Sequence, residues 1–207
     1  MTLAAEVAKR LLQIKAIKLS PQSPFTWASG IQSPIYCDNR IILSYPETRS
    51  FIKATFVITA QKFPEFNKIA GVATAGIPHG MLLADALACP FVYVRSKAKE
   101  HGRQNQIEGD LKKGDKVLVI EDLISTGGSS LKAVAALRAA GAEVVGLAAI
   151  FTYGFTRSEK AFKEQHCPMK TLTNYDILIN EALKTNFIHE NDVKLLKNRR
   201  EKINSND

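Results

Sequence analysis

The chain has 207 residues, a length typical of one domain with its own hydrophobic core, with two small domains as the weaker alternative. Hydrophobic residues make up 45% of it and charged residues 23%, as in ordinary globular proteins, and no apolar run reaches the roughly 20 residues that span a membrane. The formal net charge of +8 is compatible with a nucleic acid, an anionic membrane surface or an anionic small molecule, so charge alone does not choose among them.

Residues 1–17 predict an amphipathic helix, because Glu6, Lys9 and Arg10 interrupt the apolar h-region that a signal peptide needs. Short extended pieces around three prolines follow, up to about residue 45. The cysteines are odd in number and far apart: Cys37, Cys89 and Cys167. This usage favours a reducing cytoplasm and argues against a disulfide framework or structural zinc, and we expect no metal site built from protein ligands alone.

From about residue 50, short β-branched runs alternate with helical patterns. This alternation predicts βαβ units and a mostly parallel sheet covered on both faces, with Gly141 as the C′ residue of one helix. The predicted helices are 51–63, 79–88 and 129–141, and the predicted strands are 68–73, 91–95, 116–121 and 143–153. We therefore expect one α/β domain: a cap from about 1–45, a core from about 50–155, and C-terminal helices with at most one strand from about 156–207.

The stretch VLVIEDLISTGGSS, residues 117–130, holds two adjacent carboxylates, Glu121 and Asp122, before a turn of hydroxyl and glycine residues. Ligands of open parallel sheets bind beyond the carboxyl ends of the strands, where loops lead into helix N-termini. Hydroxyls, close backbone N–H groups and a helix dipole favour a phosphate monoester in the turn. Acids at a strand end accept hydrogen bonds from ribose hydroxyls, so the pair indicates a phosphorylated ribose.

This stretch resembles the substrate motif of the type I phosphoribosyltransferases, which use phosphoribosyl pyrophosphate. The resemblance implies the fold of that family, with a mostly parallel central sheet, flanking helices and a small hood. It also implies that Glu121 and Asp122 bind the ribose hydroxyls and that the turn binds the 5-phosphate. The implied substrate-binding residues are Glu121, Asp122, Leu123, Ile124, Ser125, Thr126, Gly127, Gly128 and Ser129.

Two further loops fit the same substrate. The loop ATAGIPHG, residues 73–80, places Gly76 in a turn and Pro78 at the expected first helical position, and would suit the pyrophosphate end. The polar segment 95–110, RSKAKEHGRQNQIEGD, is long for a connection inside a compact domain, and we interpret it as a cationic lid. Its order of charges is similar to the catalytic loop of orotate phosphoribosyltransferases, which implies that Arg95, Lys99 and His101 contact pyrophosphate, often in the neighbouring subunit of a dimer.

The segment 25–40, FTWASGIQSPIYCDNR, resembles the orotate transferase segment that folds over the base, and the C-terminal TNYDILINEAL extends the resemblance over nearly the whole chain. Ser125 is our expected base contact. Tyr153 stands where the best-known members carry a base-contacting arginine, so it is the second candidate. Other departures from that pattern are Ala28, Thr74, Ala75 and Ser96.

The resemblance implies an orotate phosphoribosyltransferase that uses Mg²⁺ as its cofactor. Its substrates would be phosphoribosyl pyrophosphate and orotate, and it would act in the cytoplasm as a homodimer without nucleic-acid or membrane partners. Lys99 would be the main catalytic residue, with His101 and Arg95 beside it. A purine phosphoribosyltransferase is an open alternative. So is a non-catalytic regulator that senses phosphoribosyl pyrophosphate and binds nucleic acid, although residues 1–45 show no basic stripe interleaved with aromatics.

Overall fold

The computed structural model describes residues 2–26, 30, 32–96 and 106–205. Within these ranges the α-helices are α1 (Leu3–Gln13), α2 (Pro46–Ala60), α3 (Gly76–Ala86), α4 (Gly128–Ala139), α5 (Thr156–Glu164), α6 (Tyr175–Lys184) and α7 (Glu190–Ser205). The strands are β1 (Ile17–Leu19), β2 (Phe25–Thr26), β3 (Gln32–Ser33), β4 (Ile35–Cys37), β5 (Lys68–Val72), β6 (Phe91–Val94), β7 (Ile107–Glu108), β8 (Lys116–Ile124), β9 (Glu143–Thr152) and β10 (Met169–Asn174). A 3₁₀ helix spans Asn39–Ser44.

The central sheet has six strands in the described part of the chain, in the order β10-β9-β8-β5-β6-β7. Neighbours run parallel except at the edge, where β7 pairs antiparallel with β6. Two small antiparallel pairs, β1 with β4 and β2 with β3, are formed by the N-terminal segment. The predicted mostly parallel α/β sheet is confirmed.

The two faces of the sheet bury separate sets of side chains because alternate strand residues point to opposite sides. In β8, Leu118 and Ile120 face one core with buried residues of α1, α2, α3 and α6. Val117 and Val119 face the other core, with buried residues of α4 and Phe162 of α5. Both faces are covered by helices, which is why β5 and most of β8 and β9 are continuously buried.

Several element boundaries differ from the predicted ones. Helix α2 begins at Pro46, five residues before its predicted start, because proline is well suited to the first helical position. Helix α3 begins at Gly76, so the expectation of Pro78 at the first helical position was wrong. Pro78 is the third helical residue, where its missing N–H is still harmless because the first-turn N–H groups have no partner inside the helix. Gly141 has φ 89° after the last residues of α4, as expected for a C′ glycine.

Strand β8 also runs three residues beyond its predicted end. Its register with β9 continues through Glu121, Leu123 and Ile124, which lie opposite Ala149, Phe151 and Thr152. The two acids therefore belong to a hydrogen-bonded strand end rather than to the turn itself.

The C-terminal residues contribute α5, α6, α7 and the single strand β10, as expected. Tyr175 at the start of α6 is buried, and its hydroxyl donates to the Leu196 carbonyl of α7 at 3.0 Å. None of the helices in the described ranges is long and apolar enough to cross a membrane.

Candidate active site

A cleft of about 320 Å³ opens at the carboxyl edge of the central sheet. It lies between the loop after β5 and the end of β8 with the turn into α4. Its lining residues are 73–75, 121–123, 125–127, 129 and 130. The structure thus brings together most of the residues predicted to bind the ribose phosphate and places the 73–75 loop opposite them.

The turn before α4 is shaped by Gly127, which has φ 82° and precedes the first helical residue, Gly128. A Cβ at position 127 would lie 2.7 Å from Cε2 of Phe162, so a side chain there is excluded both by backbone conformation and by space. At Gly128 a Cβ would meet only the Thr126 hydroxyl, at 3.8 Å, which leaves this helix start open. Exposed N–H groups and the positive end of the α4 dipole make the turn suitable for a phosphate.

The two neighbouring acids have different surroundings. Glu121 is only 5% exposed. Its Oε1 accepts from the backbone N–H of Asp122 at 3.0 Å, and its Oε2 accepts from the Ser130 hydroxyl at 3.2 Å. Asp122 is half-buried and lines the same cleft. Asp122 therefore offers the more accessible carboxylate, while Glu121 is fixed against the first turn of α4.

Burial disfavours the charged form of both acids. It raises the pKa of Glu121 above that of an ordinary glutamate, and the adjacent Asp122 carboxylate adds to this effect. Burial also raises the pKa of Asp122, although its hydrogen bond with Glu121 opposes the change. Two carboxyl groups held together in a partly dry cleft are suited to hydroxyl donors and to a divalent cation, both of which stabilise the ionised forms.

The loop after β5 approaches β8 closely because position 76 is a glycine. A Cβ on Gly76 would lie 2.5 Å from the Ile120 carbonyl oxygen and 3.2 Å from Cα of Glu121. The peptide bond between Ala73 and Thr74 is cis. We predicted a loop of backbone donors around Gly76, and the structure assigns the cleft lining to Ala73, Thr74 and Ala75 just before it. Gly76 in the turn after the predicted strand and Pro78 near the start of the next helix were the signals for this loop in the sequence.

The predicted lid segment begins and ends in the hairpin of β6 and β7. The backbone N–H of Arg95 donates to the Gln106 carbonyl and the Gln106 side chain donates back to the Arg95 carbonyl, both at 2.8 Å. The Arg95 guanidinium lies 3.6 Å from the Glu108 carboxylate. This hairpin is next to the 73–75 loop, since the N–H of Ala73 donates to the Val94 carbonyl at 2.9 Å. Lys99 and His101 lie outside the described residues, so their assignment to pyrophosphate stays a prediction.

The two candidate base contacts are placed differently. Ser125 lines the cleft. Tyr153 is 3% exposed and packs edge-on against Phe151 and parallel to Phe155, with ring centroids 5.3 and 5.4 Å away. Its assignment to the base stays a prediction, and a ring buried in this way offers almost no surface to a ligand.

Sequence reasoning missed two polar residues beside the acids. Ser130 is 1% exposed and holds Glu121, although it had been considered only as part of the turn. Asn39 is completely buried, and its side-chain N–H donates to the Asp122 carbonyl at 2.8 Å. No sequence pattern links Asn39 to Asp122, because the contact depends on the folded path of the N-terminal segment.

The donor set suits Mg²⁺ only in combination with a substrate. No cluster of three or more His, Cys, Asp or Glu side chains able to hold a metal occurs among the described residues. Mg²⁺ commonly takes one or two carboxylates and fills its remaining positions with water and phosphate oxygens. Glu121 and Asp122 fit that pattern.

Comparison with known proteins supports the same interpretation. Residues 53–185 match the model of the phosphoribosyl transferase domain family. A relative from Listeria monocytogenes, named orotate phosphoribosyltransferase, is 58% identical over 198 residues, which cover 95% of each chain.

Solved structures share the architecture. The orotate phosphoribosyltransferase of Aeropyrum pernix superposes with a TM-score of 0.76 at 27% identity, over 88% of this chain and 99% of that one. The UMP synthase of Leishmania donovani gives a TM-score of 0.81 at 25% identity, over 96% of this chain and 42% of that larger one.

Proposed function

The chain belongs to the phosphoribosyltransferase family, among its orotate phosphoribosyltransferases, and we propose that the cleft at the carboxyl edge of the sheet carries out their reaction. It transfers the 5-phosphoribosyl group from phosphoribosyl pyrophosphate to orotate. The products are orotidine 5′-monophosphate and pyrophosphate, a step of pyrimidine biosynthesis.

One observation carries the assignment of the cleft. A turn with a glycine at φ 82° follows the end of the strand that carries two carboxylates, and the turn and both acids line one cleft. A 5-phosphoribosyl group has a phosphate at one end and hydroxyls on its ring. The turn at 125–129 supplies N–H and hydroxyl donors for the phosphate, and Asp122 with Glu121 supplies acceptors for the hydroxyls.

The reaction is a displacement at the anomeric carbon. The bond from that carbon to the pyrophosphate oxygen breaks, a bond to the ring nitrogen of orotate forms, and that nitrogen gives up its proton. Positive charge develops on the ribose ring in the transition state. The carboxylates of Asp122 and Glu121, ionised when ribose hydroxyls and Mg²⁺ are bound, would stabilise that charge, and the cleft would hold the two reactants in line. Ser125 would contact the edge of the base.

Mg²⁺ would be held by the substrate oxygens together with Asp122 and Glu121, and when bound it neutralises negative charge on the departing pyrophosphate. The chain's own contribution at that end would come from the 73–75 loop and from Arg95, Lys99 and His101 of the lid. Arg95 stands at the stem of the lid hairpin, next to this loop. We further propose a homodimer in which each lid reaches the neighbouring cleft.

A cytoplasmic location is supported by the cysteines. Cys37, Cys89 and Cys167 are all unpaired thiols, as expected in a reducing compartment.

The test is the ultraviolet absorbance of orotate mixed with the protein, phosphoribosyl pyrophosphate and Mg²⁺, with each component omitted in turn. We expect the orotate band to decline only in the complete mixture. Parallel reactions with adenine, guanine and hypoxanthine in place of orotate should give no nucleotide. Conversion of a purine instead would identify a purine phosphoribosyltransferase. Binding of phosphoribosyl pyrophosphate without any turnover, together with a salt-dependent affinity for nucleic acid, would identify a regulator.

A further inference from the structure

Asn39 fastens the N-terminal segment to the strand that carries the cleft acids. It is the first residue of the 3₁₀ helix and is completely buried. Its Nδ2 donates to the backbone carbonyl of Asp122 at 2.8 Å. A carbonyl oxygen only accepts hydrogen bonds, so the amide nitrogen must face it and the oxygen Oδ1 must point elsewhere. The bond therefore fixes both the side chain of Asn39 and the backbone at Asp122.

His79 joins the same residue to the other wall of the cleft. It is 2% exposed in α3, the helix that directly follows the 73–75 loop. Burial lowers the pKa of its imidazole, and the neighbouring backbone of Asn39 opposes this change; its ring centroid lies 6.5 Å from that of Phe56. Asn39 is thus hydrogen bonded to β8 at Asp122 and has its backbone beside His79 of α3.

The buried polar groups of Asn39 and His79 lower the stability of the fold in part. Within the described part of the chain, Oδ1 of Asn39 and Nε2 of His79 are buried without a hydrogen-bond partner. Each such atom costs free energy, and a pair of apolar side chains of similar size would fill the same space without that cost. Polar side chains kept at such a cost beside a ligand cleft indicate a role in shaping the cleft.

We propose that Asn39 is a positioning residue for the transfer reaction and that His79 supports it. Together they hold the backbone at Asp122 in register with α3, so that the ribose acids and the 73–75 loop engage one molecule of phosphoribosyl pyrophosphate. This inference rests on the proposed function through the assignment of Asp122 to the ribose. Asn39 acts through the strand backbone and does not itself contact the substrate.

The test uses Asn39→Leu, which keeps a similar volume and removes the donor. We expect KM for phosphoribosyl pyrophosphate to rise about tenfold, the loss of roughly one hydrogen bond near a charged group, while kcat stays within about threefold. His79→Phe should raise the same KM by a smaller factor. The double variant should be no worse than Asn39→Leu, because His79 acts through Asn39.

Val7→Ala is the matched control for lost stability. Val7 is fully buried in α1, which packs against α6 and β10 away from the cleft. It should lower the melting temperature without changing KM for phosphoribosyl pyrophosphate. Equal KM values in Asn39→Leu and Val7→Ala would overturn the proposal. If Asn39→Leu does not fold, Asn39→Asp, which replaces the donor by an oxygen, carries the same expectation.

The wild-type protein separates this inference from the proposed function. Turnover of orotate by the wild type establishes the function whatever the variants do. If the wild type bound phosphoribosyl pyrophosphate but did not convert orotate, the proposed function would fail. The calorimetric Kd for phosphoribosyl pyrophosphate would then replace KM in the comparison of Asn39→Leu with Val7→Ala.

Discussion

Glu121 and Asp122 are adjacent in sequence, yet the fold gives them different tasks. Glu121 is held by the Asp122 N–H and the Ser130 hydroxyl and is almost fully buried, whereas Asp122 is half-buried and faces the cleft. At the residue scale the sequence was sufficient to find both acids, because doubled carboxylates before a Gly-rich turn are chemically unusual. The sequence was not sufficient to predict which of the two acids is more accessible, since their burial depends on how α4 packs over the strand end.

Glu121→Gln should weaken substrate binding and also change how the stability of the protein depends on pH. We expect affinity for phosphoribosyl pyrophosphate to fall roughly 10- to 100-fold, because the bound ribose hydroxyls and Mg²⁺ stabilise an ionised carboxylate at Glu121, and a neutral amide is a weaker acceptor. Burial raises the pKa of Glu121, so the folded wild type holds the carboxyl proton of Glu121 more tightly than the unfolded chain does. The stability of the wild type should therefore decrease as pH rises through the raised pKa. Glu121→Gln should not show this decrease in stability, and melting temperatures measured between pH 6 and 9 test the difference.

The control for this variant is Glu143→Gln, at the exposed start of the neighbouring strand β9. It should leave both affinity and the alkaline slope as in the wild type. An unchanged affinity in Glu121→Gln would remove Glu121 from the ribose site.

His79 should make the protein sensitive to acid. Burial lowers its pKa to about 4, whereas a histidine in the unfolded chain titrates near 6.5. The unfolded state therefore takes up the proton first, and stability is retained above about pH 6.5 and lost as pH falls towards 4. The shift corresponds to a loss of about 3 kcal/mol from this residue.

Urea denaturation at several pH values between 7 and 4 measures this effect. His79→Phe should show a shallower decline of unfolding free energy than the wild type. His189→Ala, at an exposed histidine, should keep the wild-type slope. If the unfolding free energy of all three proteins declines equally with falling pH, His79 is not the buried neutral histidine that causes the acid sensitivity.

At the scale of elements, the strands and helices predicted between residues 51 and 153 occur in the predicted order, because buried parallel strands are short continuous apolar runs between helical patterns. The ends of these elements did not. Strand β8 extends through Ile124 because β9 continues beside it, and this long-range pairing leaves no mark in the local sequence. The two-residue strand β7 was also missed, since it forms by pairing with β6 at the edge of the sheet.

The turn into α4 provides a prediction in which a second glycine of similar φ, Gly114, serves as the control. Gly127→Ala should destabilise the fold, because φ 82° costs a side chain about 1–2 kcal/mol and its Cβ would also meet Phe162 at 2.7 Å. It should also raise KM for phosphoribosyl pyrophosphate. Gly114→Ala has a similar φ of 87° with nothing near its Cβ, so it should show only the backbone cost and a normal KM. Urea denaturation and steady-state kinetics test both variants, and a normal KM in Gly127→Ala would exclude the turn as the phosphate site.

At the scale of the whole molecule, the N-terminal segment contributes to the cleft although it is remote in sequence from it. Asn39 contacts Asp122 over a separation of 83 residues. The sequence located the segments of the site through their motifs, but it could not show that a buried amide joins two of them. Such long-range hydrogen bonds can be identified only from the folded structure.

The proposed exchange of lids between subunits predicts complementation. Lys99→Ala alone should lower turnover far more than it weakens orotate binding, and Asp122→Asn alone should lose the ribose site. Mixing the two inactive proteins under conditions that allow subunit exchange should restore about a quarter of wild-type activity, because half the dimers are mixed and each has one intact cleft. Lys112→Ala, at an exposed lysine in the turn after the lid, should be fully active alone. Activity that stays at the level of the single variants would place each lid over its own cleft.

A crystal structure of the protein with phosphoribosyl pyrophosphate and Mg²⁺, without a base, tests the assignment of the cleft most directly. We predict that the 5-phosphate lies in the 125–129 turn, that the ribose hydroxyls lie within hydrogen-bond distance of the Asp122 and Glu121 carboxylates, and that the pyrophosphate faces the 73–75 loop. A substrate bound away from these residues, or with its two phosphate ends reversed, would contradict it.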